Sequence, residues 1–91
     1  MQIRFTPRAR DDLIEIHDYI AAENPRAARR VASTIRDQVR ILANHPLLGR
    51  RGQLPGTREL VIDRYPYLLA YRINGDTVAI LTIWHTARDL P

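Results

Sequence analysis

The sequence predicts one α+β domain, a helical hairpin packed on a single antiparallel sheet. Three observations predict it. Two stretches with helical spacing of apolar residues adjoin with almost no loop between them. Three stretches of strand character follow, bounded by turn residues. A chain of 91 residues has room for one modest core and no second domain.

The elements follow in order. "QIRFT" at the N-terminus alternates apolar and polar residues, which predicts a short first strand. Thr6-Pro7 has the form of an N-cap followed by Pro at the first helical position. Ala9, Leu13, Ile16 and Ile20 then mark one buried stripe, with Asp11 and Asp12 early enough to complement the helix dipole. Asn24-Pro25 repeats the cap-then-Pro signal, and a second helix is predicted over 25–44, its stripe being Ala28, Val31, Ile35, Val39 and Leu42. His45, before Pro46, is placed to cap that helix at its C-terminus. "HPLLGRRGQLPGT", with three Gly and two Pro, predicts a loop. Strands are predicted for "RELVID" (58–63), "YLLAYRI" (67–73) and "TVAILTIW" (77–84). Asn74-Gly75-Asp76 joins the last two as a hairpin, with a type I′ turn expected of Asn-Gly. The prediction is therefore an N-terminal strand, an antiparallel helical hairpin, and a three-stranded antiparallel meander sharing one sheet with the first strand.

Composition narrows the function classes. There is no cysteine, so disulfides and thiolate metal sites are excluded. The N-terminus lacks an apolar signal region and no apolar run approaches the length of a membrane span, so a cytoplasmic protein without a membrane partner is expected. The formal charge is +4, and all fourteen basic residues are Arg. Codon bias explains that choice as well as function does. Position is more informative: residues 24–56 hold seven Arg and one acid, whereas residues 1–23 hold three Arg and five acids. A field this uneven suits an acidic partner.

The last two strands are apolar on both faces. Val78, Ile80 and Trp84 alternate with Ala79, Leu81 and Ile83, and Tyr67, Leu69, Tyr71 and Ile73 alternate with Leu68 and Ala70. Two helices cover one face only, so the other is expected to present apolar surface for a partner, unless long side chains such as Arg64 or Arg72 fold over it.

"HPLLGRRG", "GTREL" and "YPYLLAYRINGDTVAILTIWHTARD", in that order, resemble the ParE branch of the ParE/RelE toxin superfamily, over essentially the whole chain. The resemblance implies a toxin of a bacterial type II toxin–antitoxin module of the plasmid-stabilisation kind. It implies a cognate antitoxin, of the ribbon-helix-helix, ParD-like type, whose flexible segment wraps the toxin and silences it. ParE toxins inhibit DNA gyrase by binding, whereas RelE toxins cleave mRNA on the ribosome. The alternatives are thus a RelE-like endoribonuclease or a non-toxic relic that keeps only its antitoxin groove.

The residues favour binding. RNA cleavage needs a base, an acid and a cation beside the reacting phosphate. Where RelE-like nucleases place an Arg this sequence has Leu68, and no Tyr follows His85. Glu59, Arg72 and His85 are the weak nuclease candidates, and no catalytic residue is assigned. Arg58, Trp84, His85 and Arg88 are the target-binding candidates, at the C-terminal end of the sheet. Arg26, Arg29, Arg36 and Arg40 share one face of the second helix and, with Leu68 and Ala70 on the sheet, are the antitoxin-binding candidates. The three His have no ligand spacing, so neither a metal nor another cofactor is expected. No helix-turn-helix or base-reading motif is present, and direct sequence-specific DNA binding is not expected.

Overall fold

The computed structural model describes residues 1–87. Its elements are β1 (Gln2–Phe5), α1 (Pro7–Ala21), α2 (Pro25–Asn44), β2 (Arg50–Arg51), β3 (Thr57–Val61), β4 (Tyr67–Asn74) and β5 (Thr77–His85). The strands form one sheet in the order β1-β5-β4-β3-β2. β1 lies parallel to β5, and all other pairs are antiparallel. The predicted α+β architecture is the one found. None of the helices among the described residues is long and apolar enough to cross a membrane.

Both helices begin where their caps predict. The Thr6 hydroxyl accepts the Ala9 N–H at 3.1 Å, and the Asn24 side chain accepts the Ala27 N–H at 3.0 Å. Each cap satisfies a donor left over at a helix start. Two details differ from expectation. Asp11 and Asp12 lie beyond the first turn of α1, which holds no acid. Dipole complementation fades within that turn, so their role lies elsewhere. α2 ends on the backbone N–H of His45, which donates to Ile41 O at 2.9 Å.

The loop after α2 contains a short edge strand, β2, which the Gly- and Pro-rich sequence conceals. It pairs with β3 through Arg50–Glu59 and Arg51–Arg58. β3 spans 57–61, not 58–63, because the chain turns away after Ile62, whose N–H still reaches Tyr67 O at 2.9 Å. The β4–β5 link has positive φ at Gly75 (58°) but not at Asp76, the pattern of a type II′ turn in place of the expected I′.

The most consequential departure is a bulge in β5. Ala70 faces Thr82 but Tyr71 faces Ile80, so Leu81 is an extra residue. A single inserted residue exchanges the faces of everything beyond it. Val78 and Ile80 therefore share the helix-covered face with Ile83, whereas strict alternation would put them with Trp84. Three side chains fasten the bulge. Thr6 donates its hydroxyl to Leu81 O at 3.0 Å, and the Asp12 carboxylate accepts both the Thr82 hydroxyl (2.7 Å) and the Ile83 N–H (3.0 Å).

The core lies between the hairpin and one face of the sheet. Ile16, Val31, Ile35, Val39 and Leu42 from the helices meet Leu69, Tyr71, Val78, Ile80 and Ile83 from the strands. The buried Tyr71 hydroxyl donates to Pro46 O (2.7 Å) and accepts the Gly49 N–H (2.8 Å), tying the loop after α2 to the sheet.

Candidate functional site

Among the described residues no helix lies over the second face of the sheet. Residues paired across a ladder share a face, and neighbours along a strand alternate. The core face takes Tyr67, Leu69 and Tyr71 of β4. The pairings then put Leu68, Ala70 and Arg72 on the open face with Glu59 and Val61 of β3, Thr82, Trp84 and Ala79 of β5, and Arg4 of β1. Leu81 joins them because of the bulge. The centre of this face is a groove of about 650 Å³, lined by Arg50, Gln53, Leu54, Thr57, Glu59, Leu68, Ala70, Leu81, Thr82, Trp84 and Thr86. Its floor is apolar or small. Leu68 is only 7% exposed, flanked in register by Val61 and Trp84.

One carboxylate lines the groove, and it is engaged. Glu59 accepts from the Arg50 guanidinium and from the Gln53 N–H, each at 3.4 Å, and its side chain is 13% exposed. The three nuclease candidates do not come together. Glu59 and Arg72 are on the open face, whereas His85 pairs with Tyr67 and therefore lies on the helix-covered side. There its ring meets the Tyr67 ring edge-on, with centroids 5.2 Å apart, and its Nδ1 accepts the Ala87 N–H at 3.1 Å. An acid–base pair acting across one phosphate needs both groups on one side of it.

The target-binding candidates are also divided. Trp84 is in the groove and His85 is on the other face. Arg58 pairs with Tyr71 on the helix-covered side and donates to Gly49 O at 2.7 Å and Leu47 O at 3.4 Å, so it holds the loop after α2 in place. Arg88 lies outside the described residues. Of the antitoxin-binding candidates, Leu68 and Ala70 line the groove. Arg26, Arg29, Arg36 and Arg40 are exposed on α2, in the layer on the other side of the sheet. Arg40 pairs with Asp37 at 2.8 Å. A partner touching both sets has to pass round an edge of the molecule. Among the described residues no three His, Asp or Glu side chains cluster as metal ligands would.

Sequence reasoning missed Val61 as an open-face residue, Leu81 and Thr82 as groove residues, and Asp12 as the group that sets which face Trp84 joins. Only the bulge reveals the last three, and its sole sequence trace is Thr82 interrupting the apolar series Val78, Ile80, Trp84.

Comparison with known proteins matches this geometry to one group. The family described as "ParE toxin of type II toxin-antitoxin system, parDE" matches residues 3–90. The Y4kP protein of Sinorhizobium fredii is 44% identical over 90 residues, covering 99% of this chain and 93% of that protein. Toxin RelE2 of Caulobacter vibrioides is 38% identical over 87 residues, covering 96% and 97%. A solved chain of the chromosomal ParDE system from P. aeruginosa superposes with a TM-score of 0.83 at 31% identity, covering 93% of this chain and 95% of that one.

Proposed function

Because the chain belongs to the ParE toxin family of type II toxin–antitoxin systems, we propose that it disables its target by binding, that the target is DNA gyrase, and that a cognate antitoxin silences it by filling the open-face groove. The observation that carries this reading is the groove floor. Leu68, Ala70, Leu81 and Trp84 offer apolar contact and no proton transfer, the groove carboxylate is held by Arg50 and the Gln53 amide, and the imidazole is on the opposite face. Such a surface suits capture of one conformational state of an enzyme, which needs complementarity and no reacting side chain.

The antitoxin proposal follows from the same floor. An apolar groove beside a flat, small-residue strip accepts one side of an amphipathic helix or an extended segment. The cations on α2 then meet acidic residues of the same segment after it passes round the sheet edge. Arg58 is withdrawn from the target-contact role by its carbonyl bonds, while Trp84 and the chain end beyond it remain the proposed target contacts.

The test is to add purified toxin both to a gyrase supercoiling reaction and to a translating extract. Loss of supercoiling with intact mRNA is expected. Codon-positioned mRNA cuts with normal supercoiling would replace gyrase by the ribosome and binding by catalysis.

A further inference from the structure

The turn joining β2 to β3 carries a second concave site, which adjoins the groove and shares Gln53, Leu54 and Thr57 with it. It is a pocket of about 430 Å³ whose wall includes Arg51, Gly52, Gly56, Arg58 and Ile73. Arg51 and Arg58 face each other directly across the two strands. Like charges so placed repel and destabilise the pair. Arg58 is fixed by its bond to Gly49 O, whereas the exposed Arg51 side chain has no hydrogen bond or ion pair among the described residues. Among the described residues no acid lines the pocket.

The turn itself is tightly built. Gly52 N–H donates to Thr57 O at 2.8 Å, and the Thr57 hydroxyl donates to Leu54 O at 2.6 Å. A Cβ at Gly52 would come within 2.3 Å of the Thr57 hydroxyl, so glycine is required for this closure. On the open-face side the turn rests beside Arg72, whose Nε is 3.9 Å from where a Cβ of Gly56 would stand. Arg51 and Arg72 thus flank one short, braced turn, with Arg58 across from Arg51, and the Glu59 carboxylate is already engaged by Arg50 and the Gln53 amide of that turn.

We propose that this turn is a phosphate-binding corner that grips the backbone of a nucleic acid. Arg51 directs its fork at the non-bridging oxygens of a phosphodiester, and the bound anion relieves its repulsion with Arg58, whose own guanidinium stays on the Gly49 and Leu47 carbonyls. Arg72 lies below the same turn for a neighbouring phosphate. The contact reads no bases, in keeping with the absence of a base-reading motif. It does not depend on which enzyme the toxin inhibits.

Binding of fluorescent 20-nucleotide DNA duplex, single-stranded DNA and RNA to the whole toxin tests it, with polyglutamate as the carboxylate probe. Arg58 is unsuitable for substitution because it holds a loop, so the variants are Arg51→Ala and, as a charge-matched control, Arg26→Ala. Arg51→Ala is expected to keep its melting temperature, weaken nucleic-acid binding about fivefold at low salt and lower the salt slope by about one, while Arg26→Ala changes affinity less than about twofold. Whether the duplex or the RNA binds more tightly identifies the source of the phosphate. Equal weakening by the two variants, tighter binding of polyglutamate, or no binding of any nucleic acid by the unaltered toxin would each overturn the proposal.

Discussion

The two faces of the sheet are made by the same strands and both carry apolar residues at their centre, yet they have different fates. On the covered face Leu69, Tyr71, Val78, Ile80 and Ile83 are sealed by the hairpin, and the buried Tyr71 hydroxyl has both a donor and an acceptor partner. On the open face Leu68, Ala70, Leu81 and Trp84 form the floor of a groove that no described helix covers. The covered face is closed by residues of the chain itself, and no described helix closes the open face. Stability and binding should therefore respond separately to substitutions only one residue apart, because neighbours along a strand lie on opposite faces.

The sharpest way to break that division is Leu69→Ala. Leu69 is fully buried at the centre of β4, and removing three carbons there is expected to cost about 2–5 kcal/mol, lowering the melting temperature by roughly 10–30 °C. Thermal unfolding followed by circular dichroism measures it. A loss under about 1 kcal/mol would mean the covered face is not the core.

Trp84→Ala probes the other face. Its expected signature is the reverse: antitoxin affinity falls by about 2–4 kcal/mol, as for an anchoring aromatic in an interface, while stability shifts by about 1 kcal/mol or less. Titration calorimetry alongside a melting curve separates the two quantities. Unchanged affinity would remove the groove from the antitoxin interface.

Much of this was legible in the sequence, and the exceptions share one cause. The caps at Thr6 and Asn24, the extent of α2 over 25–44 and the order of elements follow from local chemistry, because caps, prolines and periodicity act within a few residues. The uncovered apolar face was legible too, since Leu68 and Ala70 alternate with Tyr67, Leu69 and Tyr71. The side to which Trp84 and His85 point was not. It depends on the bulge at Leu81, which is stabilised by residues about 70 positions away, Thr6 and Asp12. The pairing of β2 was hidden in the same way, because two arginines in a Gly-rich stretch become a strand only when β3 supplies the ladder.

Asp12→Ala sharpens the comparison from within, since Asp12 fixes the point at which the faces of β5 exchange. Without the carboxylate, the Thr82 hydroxyl and the Ile83 N–H, both partly buried, lose their acceptor. A cost of about 1–3 kcal/mol in stability is expected. Because Trp84 follows the bulge, antitoxin affinity should fall as well, and Asp12→Asn, which keeps an acceptor oxygen, should recover part of both. Hydrogen exchange at the Ile83 amide reports the released donor directly. Protection there equal to that of the unaltered protein would show that Asp12 does not hold the bulge.

The smallest effect is expected on the outer surface of α2, where neither face of the sheet is involved. Arg40 is exposed and bonded only to Asp37, one turn earlier and itself exposed. Such a pair gains little from Coulomb attraction in water and gives up side-chain freedom, so Arg40→Ala should change stability by about 0.5 kcal/mol or less. Its effect on antitoxin binding should be a few-fold at most and should shrink as salt is raised, because the charge acts through solvent. Arg29→Ala removes a guanidinium from the same face that no acid among the described residues has claimed, and it should weaken binding more than Arg40→Ala. If the two variants are indistinguishable at low salt, the antitoxin stays on the sheet side of the molecule, and the arginine face of α2 is an ordinary solvated helix surface.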